Sequence, residues 1–174
     1  MPPRGGGGGL PREVVEEGVL LGALRHARIV RVIAACAEPP CLVYELCRGG
    51  SLASRLAPGA ERGLAWEARV RVAWELAETL CFMHTCKGEV AGKRHEGVYH
   101  RDVKPENVLL ADEDVAFDAA RDVIRLADFG TARAALGAKT LEELVTQTMT
   151  KIVGTPPYMC PRYLNSGRFG GHSE

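Results

Sequence analysis

The stretch from Tyr99 to Asn107 constrains this chain more than any other. It reads Tyr-His-Arg-Asp-Val-Lys-Pro-Glu-Asn, a charged turn between the short apolar stretches Val98-Tyr99 and Asn107 to Leu110. An Asp, a Lys two residues on and an Asn five residues on can converge on one phosphoryl group. The Asp orients a hydroxyl proton, the Lys neutralises phosphate charge and the Asn holds Mg²⁺. Asp128-Phe129-Gly130 follows the apolar run Ile124-Arg125-Leu126-Ala127. An Asp at a strand end can bind the Mg²⁺ that bridges two phosphates. The plain alternative is that Asp102 and Lys104 form an ion pair in a surface turn.

Composition narrows the field. The 174 residues carry 22 Lys+Arg against 22 Asp+Glu, which argues against nucleic-acid binding driven by phosphate neutralisation. With 46% hydrophobic and 25% charged residues, most of the chain is expected to fold. No apolar run is long enough to span a bilayer. Met1 to Arg12 has no apolar signal core, so a cytoplasmic location is expected. The six cysteines form no CxxC pair; the Cys36/Cys41 and Cys81/Cys86 spacings match no common zinc pattern, and reduced thiols are expected. Residues 1–9 are expected to be a flexible Gly-rich terminus. No strand precedes their glycines, so they are not a phosphate loop.

Periodicity predicts a helix over Leu10 to Arg25, with Pro11 in its first turn, and strands over Ile29 to Ala35 and Cys41 to Leu46. A short helix over Leu52 to Leu56 is expected, capped by Ser51. The clearest helix runs from Leu64 to His84, with Val70, Ala73, Ala77, Leu80 and His84 on its apolar face and Trp66 and Trp74 as packing residues. Thr85 to Gly97 reads as a polar loop, Val123 to Ala127 as a strand, Ala132 to Gln147 as partly helical and the remainder as loop. The order is that of an α+β fold.

His100 to Asn107 meets the H-R-D-x-K-x-x-N pattern in full, and Asp128 to Gly130 meets D-F-G. On these motifs the chain resembles the eukaryotic protein kinases, of serine/threonine type and closest in pattern to receptor-like and tyrosine-kinase-like groups. The resemblance implies a two-lobe fold, with residues 10–47 running from the αC helix to the hinge and 48–174 forming the first part of the C-lobe. It implies ATP and Mg²⁺ as cofactors and a protein substrate bearing a Ser or Thr hydroxyl. Asp102 and Lys104 are then catalytic, Lys104 also steadying the γ-phosphate, and Asn107 and Asp128 are the metal ligands. Glu17 matches the αC glutamate that pairs with the ATP-binding lysine, and Tyr44 the gatekeeper. The backbones of Glu45 and Cys47 would contact adenine, and Leu109 would lie beneath it. His100 would stack with Phe129 and Leu21. Gly154-Thr155-Pro156-Pro157-Tyr158-Met159-Cys160-Pro161-Arg162 resembles the segment that closes the activation loop, and Thr155 with Lys104 implies transfer to Ser or Thr. Thr146, Thr148 and Thr150 lie where such kinases are phosphorylated, with Arg101 as receiver.

The pattern also departs from that family. No Gly-rich loop and no V-A-I-K lysine occur; no lysine at all precedes Lys87. The chain stops where a further helix is expected, the family's Ala-Pro-Glu is Cys160-Pro161-Arg162, and extra residues lie in Thr85 to Gly97 and Ala111 to Asp122. The expectation is a kinase domain truncated at both ends, with the apolar face of Val70 to His84 uncovered and no measurable phosphotransfer by the chain alone. A non-catalytic binding or scaffold module is the competing reading.

Overall fold

The computed structural model describes residues 10–90, 92–113, 123–136, 147–148, 152–169 and 173. The expected flexible terminus, residues 1–9, lies outside them, as do 114–122 of the expected surface loop. Helix α1, Arg12–Ala23, starts behind Pro11, which takes the N-cap position in extended conformation and donates no cap bond. Glu13 faces the helix N-terminus and Arg12 pairs with Glu16 at 2.6 Å, both favourable to the helix dipole and the i,i+4 ladder. Leu20 and Leu21 are buried on its inner side.

Strands β1 (Val32–Ala37) and β2 (Pro40–Tyr44) form an antiparallel hairpin that packs against α1. The strand expected from Ile29 begins only at Val32; Ile29 instead makes a single parallel bridge to Leu126. Helix α2, Leu52–Leu56, forms as expected, with Ser51 Oγ accepting the Ser54 amide at 3.2 Å. Ahead of it the backbone at Gly49 touches its neighbours so closely that a Cβ would run into Asp112 and Leu110.

Helix α3, Trp66–Thr85, reverses the expected face. Its buried residues are Ala68, Val72, Glu75, Thr79 and Met83; Val70 is half exposed, Ala73 and Ala77 are exposed, and Leu80 and His84 sit at the boundary. Trp66 and Trp74 are 73% and 49% exposed, so neither is a core packing residue. Trp74 lies instead beneath the guanidinium groups of Arg28 and Arg71, 5.1 and 5.2 Å from its ring centre. Ala65, as expected, provides no side-chain cap.

The reversal has a cause. Glu75 is fully buried, and its Oε2 accepts the amides of Val123 at 2.8 Å and Ile124 at 3.1 Å. Its Oε1 accepts Arg71 Nε at 2.6 Å, and Arg28 Nε stands 3.9 Å away while bonding Glu78. A carboxylate with this many donors can sit in a core that would reject a bare charge.

Past α3, the expected polar loop is largely strand. β3 (Gly88–Val90) and β4 (Lys93–Tyr99) make a hairpin through Gly92, where φ is 75°. β7, Arg133–Leu136, pairs with β4, so the partly helical reading of Ala132 to Gln147 is wrong where the structure describes it. Both corrections share one reason: backbone pairing overrides weak local preference. β5 (Val108–Leu110) and β6 (Ile124–Leu126) form a separate antiparallel pair. β8 (Gln147–Thr148) pairs with β9 (Arg168–Phe169). Helix α4, Pro161–Ser166, was expected to be loop; Pro161 opens it and Gly167, at φ 66°, closes it. The main core joins Leu20, Leu21 and Leu24 to Val72 and Met83 of α3 and to Val98, Leu110, Ile124, Leu126 and Phe129. The α+β fold class is as read from the sequence, and no helix among the described residues is long and apolar enough to cross a membrane.

Replacing Glu75 by Ala strands two backbone amides and leaves Arg71 and Arg28 facing an apolar hole. The expected loss is about 3 kcal/mol. Urea unfolding checks it: Glu75→Gln, which keeps an acceptor oxygen, is expected to retain part of the lost stability.

Candidate active site

One end of a strand pair sets the site. Val108 is in register with Leu126, so Asn107 precedes β5 just where Ala127 leaves β6. The Ala127 amide donates to Asn107 O at 2.9 Å, and His100 Nε2 lies 2.9 Å from Ala127 O. The charged turn is thereby tied to the strand that delivers Asp128. His100 and Phe129 meet edge to face at 4.8 Å, in the same core as Leu21.

Within the turn, Arg101 takes a left-handed conformation, φ 70°, and its Nε donates to Thr131 O at 2.6 Å. Thr131 Oγ1 returns a bond to His100 O at 2.9 Å. Left-handed backbone at a non-glycine residue costs energy and persists only where surroundings hold it. Asp128 shares that conformation, at φ 63°. Pro105 to Asn107 form one 3₁₀ turn, with Pro105 pre-set for its start. The Asn107 side chain then points back: Nδ2 donates to Asp102 O at 2.9 Å and to Asp102 Oδ2 at 3.2 Å.

Thr155 reaches the same carboxylate from a distant segment. Gly154, at φ 128°, lets the chain pass so near Arg101 that a Cβ there would stand 2.7 Å from the Arg101 carbonyl oxygen. Thr155 Oγ1 donates to Asp102 Oδ1 at 2.7 Å. Lys104 Nζ donates to Thr155 Oγ1 at 2.8 Å and pairs with Asp102 Oδ2 at 2.8 Å. Asp102, Lys104 and Thr155 form a closed triangle, with Asn107 bracing Asp102 from behind. Burial pushes the Asp102 carboxyl up, but the bonds from Lys104, Thr155 and Asn107 together outweigh it and hold it below the usual carboxylate value. Its bond to Asp102 raises Lys104 above its ordinary value. Asp102 is therefore ionised and Lys104 protonated throughout the neutral range. A pocket of about 120 Å³ opens beside them, walled by Arg101, Val103, Tyr158, Met159 and Tyr163.

The remaining residues lie at the far side. Glu17 Oε1 accepts the Tyr44 hydroxyl at 2.7 Å. Burial first, then that bond, pushes the Tyr44 phenol far above its ordinary value, so it stays a donor. A Cβ at Gly130 would stand 3.5 Å from Asp128 Oδ1 and 3.8 Å from Glu17 Oε2, so both carboxylates flank the same glycine. Glu45 is held on both sides: its amide donates to Arg31 O at 2.9 Å, its Oε1 accepts the Arg31 amide at 2.8 Å, and Arg125 Nε is 3.6 Å away. With the Glu45 amide so committed, only its carbonyl is left for an adenine contact. Cys47 O accepts the Gly50 amide at 3.4 Å. Leu109 is half-buried in β5, opposite Arg125 and bridged to Ser51. Thr148 is placed only as part of β8, and Thr146 and Thr150 lie outside the described residues.

Asp128 and Asn107 fit a hard cation by the chemistry of their donors: Asp128 is exposed with its oxygens near Gly130, and the Asn107 amide nitrogen is committed to Asp102, turning its oxygen the other way. The sequence reading missed Glu75, whose clamp on Val123 and Ile124 fixes the start of β6, the strand that leads to Asp128. Its signal was a charge at the helical spacing of Val72 and Thr79, on what proves to be the buried face.

Comparison with known proteins agrees with this geometry. Residues 8–174 match the model of the protein kinase domain. The chain is 34% identical over 160 residues to the U-box domain-containing protein 70 of Oryza sativa subsp. japonica, covering 91% of this chain and 18% of that protein. It is 33% identical over 173 residues to the wall-associated receptor kinase-like 6 of Arabidopsis thaliana, covering 97% of this chain and 24% of that protein. The chain thus spans a quarter or less of the length of these relatives. A catalytic-loop aspartate braced by asparagine, lysine and threonine, a D-F-G turn one strand away, and a match over nearly the whole chain place it in the protein kinase family.

Proposed function

We propose that the chain is part of a serine/threonine protein kinase domain that transfers the ATP γ-phosphate to a protein hydroxyl. The observation that carries this reading is the triangle of Asp102, Lys104 and Thr155. Asp102 Oδ1 accepts a hydroxyl proton from Thr155 at 2.7 Å, and this is the contact that an incoming Ser or Thr hydroxyl needs. Lys104, protonated and held beside it, faces the transferred phosphoryl group and offsets its charge. Asn107 and Asp128 would hold Mg²⁺, which supplies charge neutralisation at the phosphates when bound. The Glu45 carbonyl and Cys47 backbone would take the adenine edge, over Leu109. The pocket beside Tyr158 and Met159 has room for one substrate side chain. Arg101 would receive a phosphate on Thr146, Thr148 or Thr150 and order that segment.

One observation favours the second reading, a module that binds nucleotide or partners without turnover. Glu17 Oε1 accepts the Tyr44 hydroxyl at 2.7 Å, a contact that occupies the carboxylate. A phosphotransfer assay with Mg-ATP and a generic protein substrate, run beside calorimetric nucleotide titration, separates the two. In a full-length kinase domain that contains this chain, Asp102→Asn is expected to lower kcat at least about 100-fold while leaving nucleotide affinity unchanged, since Asp102 acts on the hydroxyl. Asp128→Ala is expected to weaken Mg-ATP binding at least tenfold. Wild-type turnover in Asp102→Asn overturns the assignment; nucleotide binding without turnover in the parent moves it to the second reading.

In the same full-length domain, Thr155→Val is expected to lower kcat about 10- to 100-fold, the worth of a hydrogen bond to a charged group. Its loss releases Asp102 toward its ordinary value. Because Asp102 is active only when ionised and its folded value is depressed, the acidic limb of the pH–rate profile moves to higher pH in this variant. Thr155→Ser keeps the hydroxyl and is expected to restore both.

A further inference from the structure

Six cysteines are free in the described structure, and the function proposed above uses only the backbone of one of them. Two have a geometric relation that the other four lack. In the β1–β2 hairpin, Cys36 is the direct cross-strand partner of Cys41, next to the turn residues Ala37 to Pro40. Residues directly opposite each other on antiparallel strands point to the same face, with Cα atoms about 4.5 or 5.5 Å apart. Both spacings fall within the roughly 4.4–6.8 Å that a disulfide spans. Neither thiol is buried, so a small oxidant can reach both. Cys36 Sγ now donates to Glu38 O at 3.2 Å, within the turn, so it lies at the hairpin tip rather than in the core. Cys81 and Cys86 have the same sequence spacing, but five positions along and past the end of α3 do not share a helix face, and Cys86 Sγ is bonded to Met83 O.

We propose that Cys36 and Cys41 form a redox-modification site: a dithiol that a peroxide closes to a cross-strand disulfide and that a thiol reductant reopens. In the forward step one thiolate attacks a peroxide oxygen, the O–O bond breaks, and an S–OH group and hydroxide result. The second thiolate attacks that sulfur, the S–S bond forms, the S–O bond breaks and hydroxide leaves. The two thiol protons neutralise the two hydroxides; both sulfurs are oxidised and one hydrogen peroxide is reduced to two waters. The closed ring fixes the register of β2, the strand that ends in Tyr44 and so in the contact with Glu17. The pairing, not the sequence spacing, sets the rate, because the fold holds both sulfurs within attacking reach.

The test treats the folded chain with hydrogen peroxide, blocks remaining thiols with iodoacetamide without prior reduction, and maps the tryptic peptide Val32 to Arg48 by mass spectrometry. The expected product is two hydrogens lighter than the reduced peptide, is alkylated only at Cys47, and regains all three alkylations after dithiothreitol. Cys47→Ser is expected to close as the parent does; Cys36→Ser and, separately, Cys41→Ser are expected not to close. Closure is expected to be at least about tenfold faster in the folded chain than in concentrated urea. Pairing that includes Cys47, overoxidation to sulfinic acid ahead of ring closure, or equal rates in folded and unfolded chains would each overturn the proposal.

Discussion

The antiparallel pair β5–β6 is the constraint from which the site follows. It is only three residues long on each side, yet Asn107, just before β5, and Asp128, just after β6, both stand at the same end of it. So short a ladder is marginal by itself. It is held on one side by Glu75, which supplies acceptors to the first amides of β6, and on the other by His100, whose ring meets the carbonyl of Ala127. Val108, Leu110, Ile124 and Leu126, each at most 1% exposed, place the same strands at the centre of the main core. The charged turn cannot drift without breaking either the ladder or the core.

Around that frame, the site's electrostatics are local and closed. Asp102 receives Lys104, Thr155 and Asn107, and the balance of burial against those donors keeps it ionised. Among the described residues, Arg101 and Asp128 are the non-glycine positions in left-handed conformation, and Arg101 is tied at once by the bond from its Nε to Thr131 O. Gly154 is the third special position: only a residue without a side chain can bring Thr155 that close to the Arg101 carbonyl. Strain held at such points by the surrounding bonds keeps Asp102, Lys104 and Thr155 in one fixed arrangement.

Much of this was legible beforehand. The catalytic-loop residues lie within eight positions of one another, from His100 to Asn107, so local geometry alone brings Asp102, Lys104 and Asn107 together. Helices α1 and α2 and the hairpin β1–β2 were also legible, through periodicity and the Ser51 cap. The misreadings have a common origin. Thr85 to Gly97 lacks alternation because its strands gain their stability from ladder bonds on both sides of β4, which the sequence does not display. The partly helical reading of Ala132 to Gln147 fails at β7 because β4 lies beside it and pairs with it.

Helix α3 draws the line most clearly. By itself the sequence determined that Trp66 to Thr85 is helical, that Ser51 caps α2, and that an Asp, a Lys and an Asn cluster in one turn, because capping, periodicity and short-range spacing act within a few residues. Which face of α3 turns inward was decided only by tertiary structure. An apolar-face rule excludes Glu75 from the core, yet Arg71, Arg28 and two strand amides some fifty residues away in sequence meet its carboxylate and reverse the choice. The same holds for Thr155, which reaches Asp102 from a separate segment. A hydrogen-bond partner that arrives from afar changes what a buried position can tolerate, and no local pattern records its arrival.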